Sequence, residues 1–257
     1  MKIAILGAGA FGTALGGILA DNGYDIDYYD SKVERERLAD VLAGAKTVIL
    51  CVPSKAAPYL LPYLPTDKPL LVATKGILSD KVFDNFEDWM VLSGPGFADD
   101  IKAHKETYFT VTDARVREMF VADYVHFDMT RDRRGVIMCG ALKNVYAILA
   151  GLKGLERGTV EWRKFIKQAA DEMREILAAN GAEAKTVDLA CGIGDLKLTC
   201  GEPSRNFEYG DILRREPGYE PKNTVEGLSA LKRIIRHEIV LPKEVPLLGE
   251  VVNGVKR

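Results

Sequence analysis

An α/β fold, with an N-terminal mostly parallel sheet and a C-terminal all-helical region, is predicted by three features of the sequence. The first half alternates short apolar runs with amphipathic or small-residue segments, the rhythm of βαβ units. A glycine cluster sits between the first run and the first helix-like stretch. After Gly135 no convincing strand remains.

The elements follow in order. "KIAIL" is a short apolar strand, and "AFGTALGGILADNG" a small-residue helix ending at Gly23. "DIDYYD" alternates as a strand and stops at an acid, and "KVERERLADVLAG" reads as an amphipathic helix. "TVILCVP" and "PLLVATKG" are continuous apolar runs, as in strands buried on both faces. "WMVLSGPG", "TYFTVTD" and "YVHFDM" add three more strands. The charged "TRDRRG" then reads as a solvated junction. Beyond it, "GVIMCGALKNVYAILAGL" is apolar nearly all round, as a buried helix is. "TVEWRKFIKQAADEMREILAANG" is amphipathic and stops at a glycine, and "NTVEGLSALKRIIRHE" opens on two capping residues.

A chain of 257 residues is long for one small core, so two domains are expected, 1–133 and 134–257. A net charge of -2 gives no global reason to expect nucleic-acid or membrane binding. Glycine interrupts the N-terminal apolar run at once, and no segment reaches the roughly 18 uninterrupted apolar residues of a membrane span. Cys51, Cys139, Cys191 and Cys200 form no C-x-x-C pair, and reduced thiols in a cytoplasmic protein are expected. His104, His126 and His237 are isolated, so no metal site is expected.

In "ILGAGAFG", Gly7, Gly9 and Gly12 form G-x-G-x-x-G between a strand and a helix, the dinucleotide-binding fingerprint of a Rossmann-type domain. The first glycine permits the tight turn, the second lets backbone approach a pyrophosphate, and the third allows close helix–strand contact. Ala10 and Phe11 complete the turn at the helix start, whose free amides face the phosphates. Asp30 closes the second strand, where a carboxylate binds the ribose hydroxyls and repels a 2′-phosphate. NAD(H) is therefore the preferred cofactor; Lys32 nearby leaves NADP(H) open as a second one.

Four further stretches place polar residues in glycine-rich or apolar settings: "TKG", "SGPGFADDI", "GALKNVYAILAG" and "GIGDLKLTCGEPSRN". Lys143 and Asn144 interrupt a buried helix, where a lysine is costly unless paired or functional. A buried salt bridge to Asp195 is the structural reading of Lys143, and proton transfer the functional one. "SRN" places a capping serine before an arginine and an amide at a helix start, a favourable phosphate site.

Together these stretches resemble the NAD(P)-dependent glycerol-3-phosphate dehydrogenases. The resemblance runs from "GAGAFGTALG" through "CVPS", "TKG", "SGPGFA" and "GALKNV" to "GIGDLKLTC", "SRN" and "VEG". It implies reduction of dihydroxyacetone phosphate to sn-glycerol 3-phosphate with NAD(P)H, supplying phospholipid synthesis, on a Rossmann domain followed by a helical domain. It implies that Lys143 is the catalytic lysine, assisted by Asp195 and Thr199, and that Lys75 contacts substrate near the nicotinamide. Gly94, Asn144, Ser204, Arg205 and Asn206 would contact substrate, the last two through its phosphate. Ala98, Glu226 and again Arg205 would lie against the cofactor. A homodimer is implied by the same analogy. The chain departs from the pattern at Gly96, where Ser or Thr is usual and one contact would be lost. It departs also at Ile137, and at Lys167 and Gln168, where a Thr-Arg pair is usual. It is short for the family, with little chain between Asp30 and "TVILCVP" and a trimmed C-terminus. A β-hydroxyacid- or ketopantoate-type reductase on the same plan is the competing enzyme reading, with "SRN" and "GDLKLTC" against it. A non-catalytic NAD-binding relative is the third, and retention of Lys75, Lys143, Asp195 and Arg205 argues against that.

Overall fold

The computed structural model describes residues 1–30, 36–201 and 204–255. The chain divides into two compact units: Met1–Lys75 with Asp80–Arg133, and Gly76–Ser79 with Arg134–Arg257.

The first unit holds one seven-stranded sheet of order β2-β1-β3-β4-β5-β6-β7. Its strands are β1 (Lys2–Leu6), β2 (Asp25–Tyr29), β3 (Thr47–Leu50), β4 (Leu70–Val72), β5 (Trp89–Ser93), β6 (Thr107–Val111) and β7 (Val125–Met129). All neighbours pair parallel except β5 and β6, which run antiparallel with Leu92 opposite Val111 and Ser93 opposite Thr110. The helices are α1 (Ala10–Asp21), α2 (Glu36–Ala43), α3 (Ala57–Leu60), α4 (Ala98–Lys102) and α5 (Ala114–Met119). Lys32 and the start of the expected second helix lie outside the described residues. The inner strands β3, β4 and β5 are buried along their whole length, which is why their sequences run apolar without alternation. Ile3, Ile5, Leu15, Leu19, Ile49, Leu71 and Met90 form the core between sheet and helices. Strand order reverses on either side of β1, and a ligand crevice in such a sheet opens beyond the carboxyl ends of the strands at that point.

The described residues of the second unit contain helices and no strand. They form α6 (Arg133–Leu152, whose first residue belongs to the first unit), α7 (Val160–Ala179), α8 (Asp195–Thr199), α9 (Arg205–Arg215), α10 (Glu226–Ile235) and α11 (Pro246–Val255). Helix α6 is as long and apolar as a membrane span, yet 94% of that window is buried inside the protein. Helix α7 buries Trp162, Phe165, Ile166, Ala169, Met173 and Ile176, the stripe that its periodicity predicts. Thr159 caps its start, and Asn180 then Gly181, at φ +70°, end it. Helices α6 and α9 touch backbone to backbone: a Cβ on Gly151 would lie 2.0 Å from the Phe207 carbonyl oxygen, and one on Gly210 2.0 Å from that of Ile148.

Glu172 of α7 shows how the C-terminal helix is held. Its buried carboxylate accepts from the Tyr146 hydroxyl at 2.8 Å and from the backbone N–H groups of Leu247 and Leu248, both at 2.9 Å. These amides open α11, so a negative side chain caps a helix N-terminus from inside the core. Glu172→Gln removes the charge and turns an amide N–H₂ toward donors. We expect a loss of about 1–3 kcal/mol, the cost of stranding a buried donor, measured as the urea midpoint. An unchanged midpoint would mean that α11 docks through its apolar face alone.

Candidate active site

In the first unit the glycine turn is built by close contact. Gly7 has φ +112°, and a Cβ there would stand 2.7 Å from the Cys51 carbonyl oxygen at the end of β3. Its N–H donates to the Tyr29 carbonyl at 2.7 Å, so the turn is tied to the end of β2 immediately before Asp30. A Cβ on Gly12 would lie 2.0 Å from the Gly7 carbonyl oxygen. Gly9 differs: a Cβ there would meet nothing within 4 Å. No protein atom requires glycine at that position, and its absence of a side chain leaves the backbone open to an approaching ligand. Gly9 is also the N-cap of α1 and offers no side-chain cap. The first amides of α1, from Ala10 and Phe11, are thus left for an anion. These residues fit the pyrophosphate of a dinucleotide.

Beyond the ends of β4 and β5 lies a second group of the same unit. Lys75 follows β4, and its ammonium donates to the Gly94 carbonyl at 2.9 Å and stands 5.3 Å from the centroid of the Phe11 ring. Phe11 meets Phe109 edge to face with centroids 6.4 Å apart. Lys75 and Phe11 of the fingerprint are therefore neighbours, which the linear sequence does not reveal. Ala98 begins α4, and α4 packs on α1. The Ser93 hydroxyl, at the carboxyl end of β5, is buried with no hydrogen-bond partner. Gly96 has a local cause: a Cβ there would stand 3.1 Å from two ring carbons of Phe109 and 3.2 Å from the Thr107 methyl. Phe109 occupies the room that a larger residue at 96 needs.

In the second unit Lys143 points from the buried α6, 4% exposed, toward Asp195, 1% exposed. Its ammonium lies 2.5 Å from Asp195 Oδ1 and donates to Thr199 Oγ1 at 3.0 Å. The Thr199 hydroxyl donates to Asp195 Oδ1 at 3.3 Å, closing a triangle. Asp195 and Thr199 are the first and last residues of α8, one turn apart on the same face. A π-helical turn over Ala190–Gly194 leads into α8 and sets the angle at which Asp195 enters. The salt bridge read from the sequence is present, and it holds the ammonium that the proton-transfer reading requires.

The "SRN" stretch follows. Ser204 caps α9, accepting from the Phe207 N–H at 3.5 Å. Arg205 is exposed and has no ion pair or side-chain hydrogen bond to any described residue, Glu208 included. Glu202, its other candidate partner in sequence, lies outside the described residues. Asn206 Nδ2 donates to Asn144 Oδ1 at 2.9 Å, and Asn206 Oδ1 accepts from the Gly227 N–H at 2.9 Å. Asn144 in turn donates to the Gly140 carbonyl at 3.0 Å. The two amides read as substrate groups thus knit α6, α9 and α10 together, each keeping one N–H uncommitted. Exposed Arg205 directly precedes Asn206 in this knot, and half-buried Glu226, the first residue of α10, directly precedes Gly227.

The remaining candidates for chemistry recede. Burial pushes the Cys51 thiol up to about 12 and Cys200 higher still, so neither is a nucleophile near neutrality. None of the four cysteines is in a disulfide. Among the described residues no three His, Cys, Asp or Glu side chains gather as a metal site. Lys167, in the place of the usual Thr-Arg pair, is exposed and pairs with Asp171 at 2.7 Å.

Comparison with known proteins adds to this geometry. The profile for the C-terminus of NAD-dependent glycerol-3-phosphate dehydrogenase matches residues 132–256. The glycerol-3-phosphate dehydrogenase [NAD(P)+] of Agrobacterium fabrum is 33% identical over 304 aligned positions, covering 98% of this chain and 93% of its own. The enzyme of that name from Leptospira biflexa is 33% identical over 82% of this chain and 78% of its own. Among solved structures, glycerol-3-phosphate dehydrogenase of Coxiella burnetii superposes with a TM-score of 0.82 at 23% identity, covering 99% of this chain and 94% of that one.

Proposed function

The chain belongs to the NAD(P)-dependent glycerol-3-phosphate dehydrogenases, and we propose that the two sites described serve that reaction through the residues named here. The reaction reduces dihydroxyacetone phosphate to sn-glycerol 3-phosphate, a precursor of glycerophospholipids. The observation that carries the assignment of roles is the Lys143–Asp195–Thr199 triangle, together with an arginine at the start of α9 that has no ion pair among the described residues.

A nicotinamide cofactor, when bound, would supply the hydride. As hydride reaches the carbonyl carbon, negative charge grows on the oxygen. The Lys143 ammonium stabilises that charge and releases its proton to the oxygen. Asp195 holds the ammonium in place, and Thr199 accepts a second of its N–H groups, so little reorganisation is needed at the moment of transfer. Arg205 takes the phosphate, and the Asn144–Asn206 knot keeps it at a fixed distance from Lys143. Lys75 contacts the substrate in this reading. Glycine turn, Asp30, Ala98 and Glu226 take the cofactor.

The test is direct. Purified protein, NADH and dihydroxyacetone phosphate are mixed, and the absorbance of reduced cofactor is followed. Oxidation of NADH that needs the phosphorylated ketone supports the reading. Turnover of ketopantoate instead would transfer the site to the competing reductase class, and NADH binding without turnover to a sensor.

Asp30 sets cofactor choice. Its carboxylate meets the ribose hydroxyls of NADH and repels the extra phosphate of NADPH. NADH should give the higher kcat/KM, and Asp30→Ser should narrow the gap. Equal wild-type efficiency with NADPH would show that a base elsewhere overrides the acid. A homodimer in the cytoplasm completes the proposal, and sedimentation of the purified chain tests the first half of it.

A further inference from the structure

We propose that Arg157, presented by the loop between α6 and α7, is a second phosphate-binding guanidinium beside Arg205. This rests on the reading of Arg205 given above. The charge balance asks for such a residue. A phosphate monoester carries nearly two negative charges at neutral pH, and Arg205 supplies one positive charge. Lys143 is already committed to Asp195.

The loop is built to hold an arginine at a fixed place. Gly154, at φ +60°, ends α6, and the Leu155 N–H returns to the Ala150 carbonyl at 3.0 Å. Glu156 to Thr159 form a turn closed twice: the Glu156 carbonyl accepts the Thr159 N–H at 3.2 Å and the Thr159 hydroxyl at 2.7 Å. Arg157 stands at the second position of that turn. Thr159 then caps α7. One turn into α7, the Trp162 indole N–H donates to the Cys200 carbonyl at 2.7 Å. That bond ties the loop to Cys200, the residue that follows α8.

Arg157 packs against the next residue, Gly201. Its Cβ, Cγ and Cδ atoms stand 3.7, 3.9 and 3.5 Å from the position of a Cβ on Gly201. The Gly201 carbonyl accepts the N–H of Ser204, the residue that caps α9 and precedes Arg205. The aliphatic stem of Arg157 is therefore packed one hydrogen bond away from the start of α9. Its guanidinium is exposed and has no ion pair or side-chain hydrogen bond to any described residue. A stem held against Gly201, with a fork that has no partner among the described residues, is the arrangement of a side chain that waits for an anion, and a guanidinium fork matches phosphate oxygens.

The experiment compares wild type, Arg157→Ala, Arg205→Ala and a charge control, Lys164→Ala on the exposed face of α7. Readouts are KM and kcat for dihydroxyacetone phosphate, competitive inhibition by inorganic phosphate, and activity on unphosphorylated dihydroxyacetone. Arg157→Ala should raise KM and the phosphate inhibition constant by about tenfold, the low end for a hydrogen bond to a charged group. Activity on dihydroxyacetone and the melting temperature should stay as in wild type, and Lys164→Ala should change nothing. Arg157→Lys should recover part of the loss, since it restores charge but not the fork. Normal phosphate inhibition in Arg157→Ala with a loss in Arg205→Ala overturns this inference and leaves the Arg205 site standing. Normal inhibition in both overturns the site as well. An equal loss on both ketones would make Arg157 a structural residue of the loop.

Discussion

Lys143→Ala should slow turnover of dihydroxyacetone phosphate by about 10²–10⁴, the range for loss of a general acid, while NADH affinity stays nearly intact. Lys143→Arg should not rescue, because a guanidinium does not give up its proton near neutrality. The alanine variant has a second defect that must be separated from the first. It leaves Asp195, 1% exposed, buried without its ammonium. Removing one partner of a buried pair costs about 3–5 kcal/mol of stability, whereas replacing both by neutral groups is often close to neutral. The double variant Lys143→Met/Asp195→Asn should therefore regain most of the melting temperature and none of the turnover. Stopped-flow measurement of NADH oxidation on the folded double variant gives the decisive rate. Near-normal turnover in either variant would make Lys143 structural and move the proton donor elsewhere, with Lys75 the next candidate.

The order of elements was legible in the sequence because each signal was local. The apolar runs of β3 to β5, the periodic stripe of α7 and the capping Ser204 each depend on a few adjacent residues. The glycine fingerprint was legible for the same reason, though not the division of labour within it: Gly7 and Gly12 answer to Cys51 and to each other, and Gly9 alone answers to no protein atom. What stayed hidden depends on distant pairs. Nothing adjacent to Glu172 announces that it caps a helix 75 residues away. The pairing of Asn144 with Asn206 spans 62 residues, and two polar amides in apolar settings look alike whether they bind substrate or each other. The π turn before Asp195 carries no propensity signal, since glycines and small residues suit many turns. Gly96 reads as a lost contact in the sequence, and only the Phe109 ring beside it supplies the cause.

Arg205→Ala should cost about 2–5 kcal/mol in kcat/KM for dihydroxyacetone phosphate, the range for truncating one side of a hydrogen-bonded charge pair. Hydride transfer itself needs only a ketone, so the phosphate is recognised by groups remote from the reacting carbon. Arg205 stands at the first position of α9, next to the Ser204 cap, with its guanidinium unpaired among the described residues. Its neighbour Asn206 is held by Asn144 and by Gly227, so the arginine starts from a rigid point. Asn144 directly follows Lys143 on α6, so in the proposed roles the same knot links phosphate grip to proton donor. Binding energy from a remote group held this way orients the carbonyl and appears in kcat as well as in KM. The loss should therefore divide between the two constants. Unphosphorylated dihydroxyacetone has nothing for the guanidinium to hold, and its slow reduction should scarcely change in the variant. Parallel kinetics on both ketones with both proteins decide the question. An equal loss on the two would place Arg205 with the fold or the cofactor, and a loss confined to KM would mean that it captures the phosphate without orienting the carbonyl.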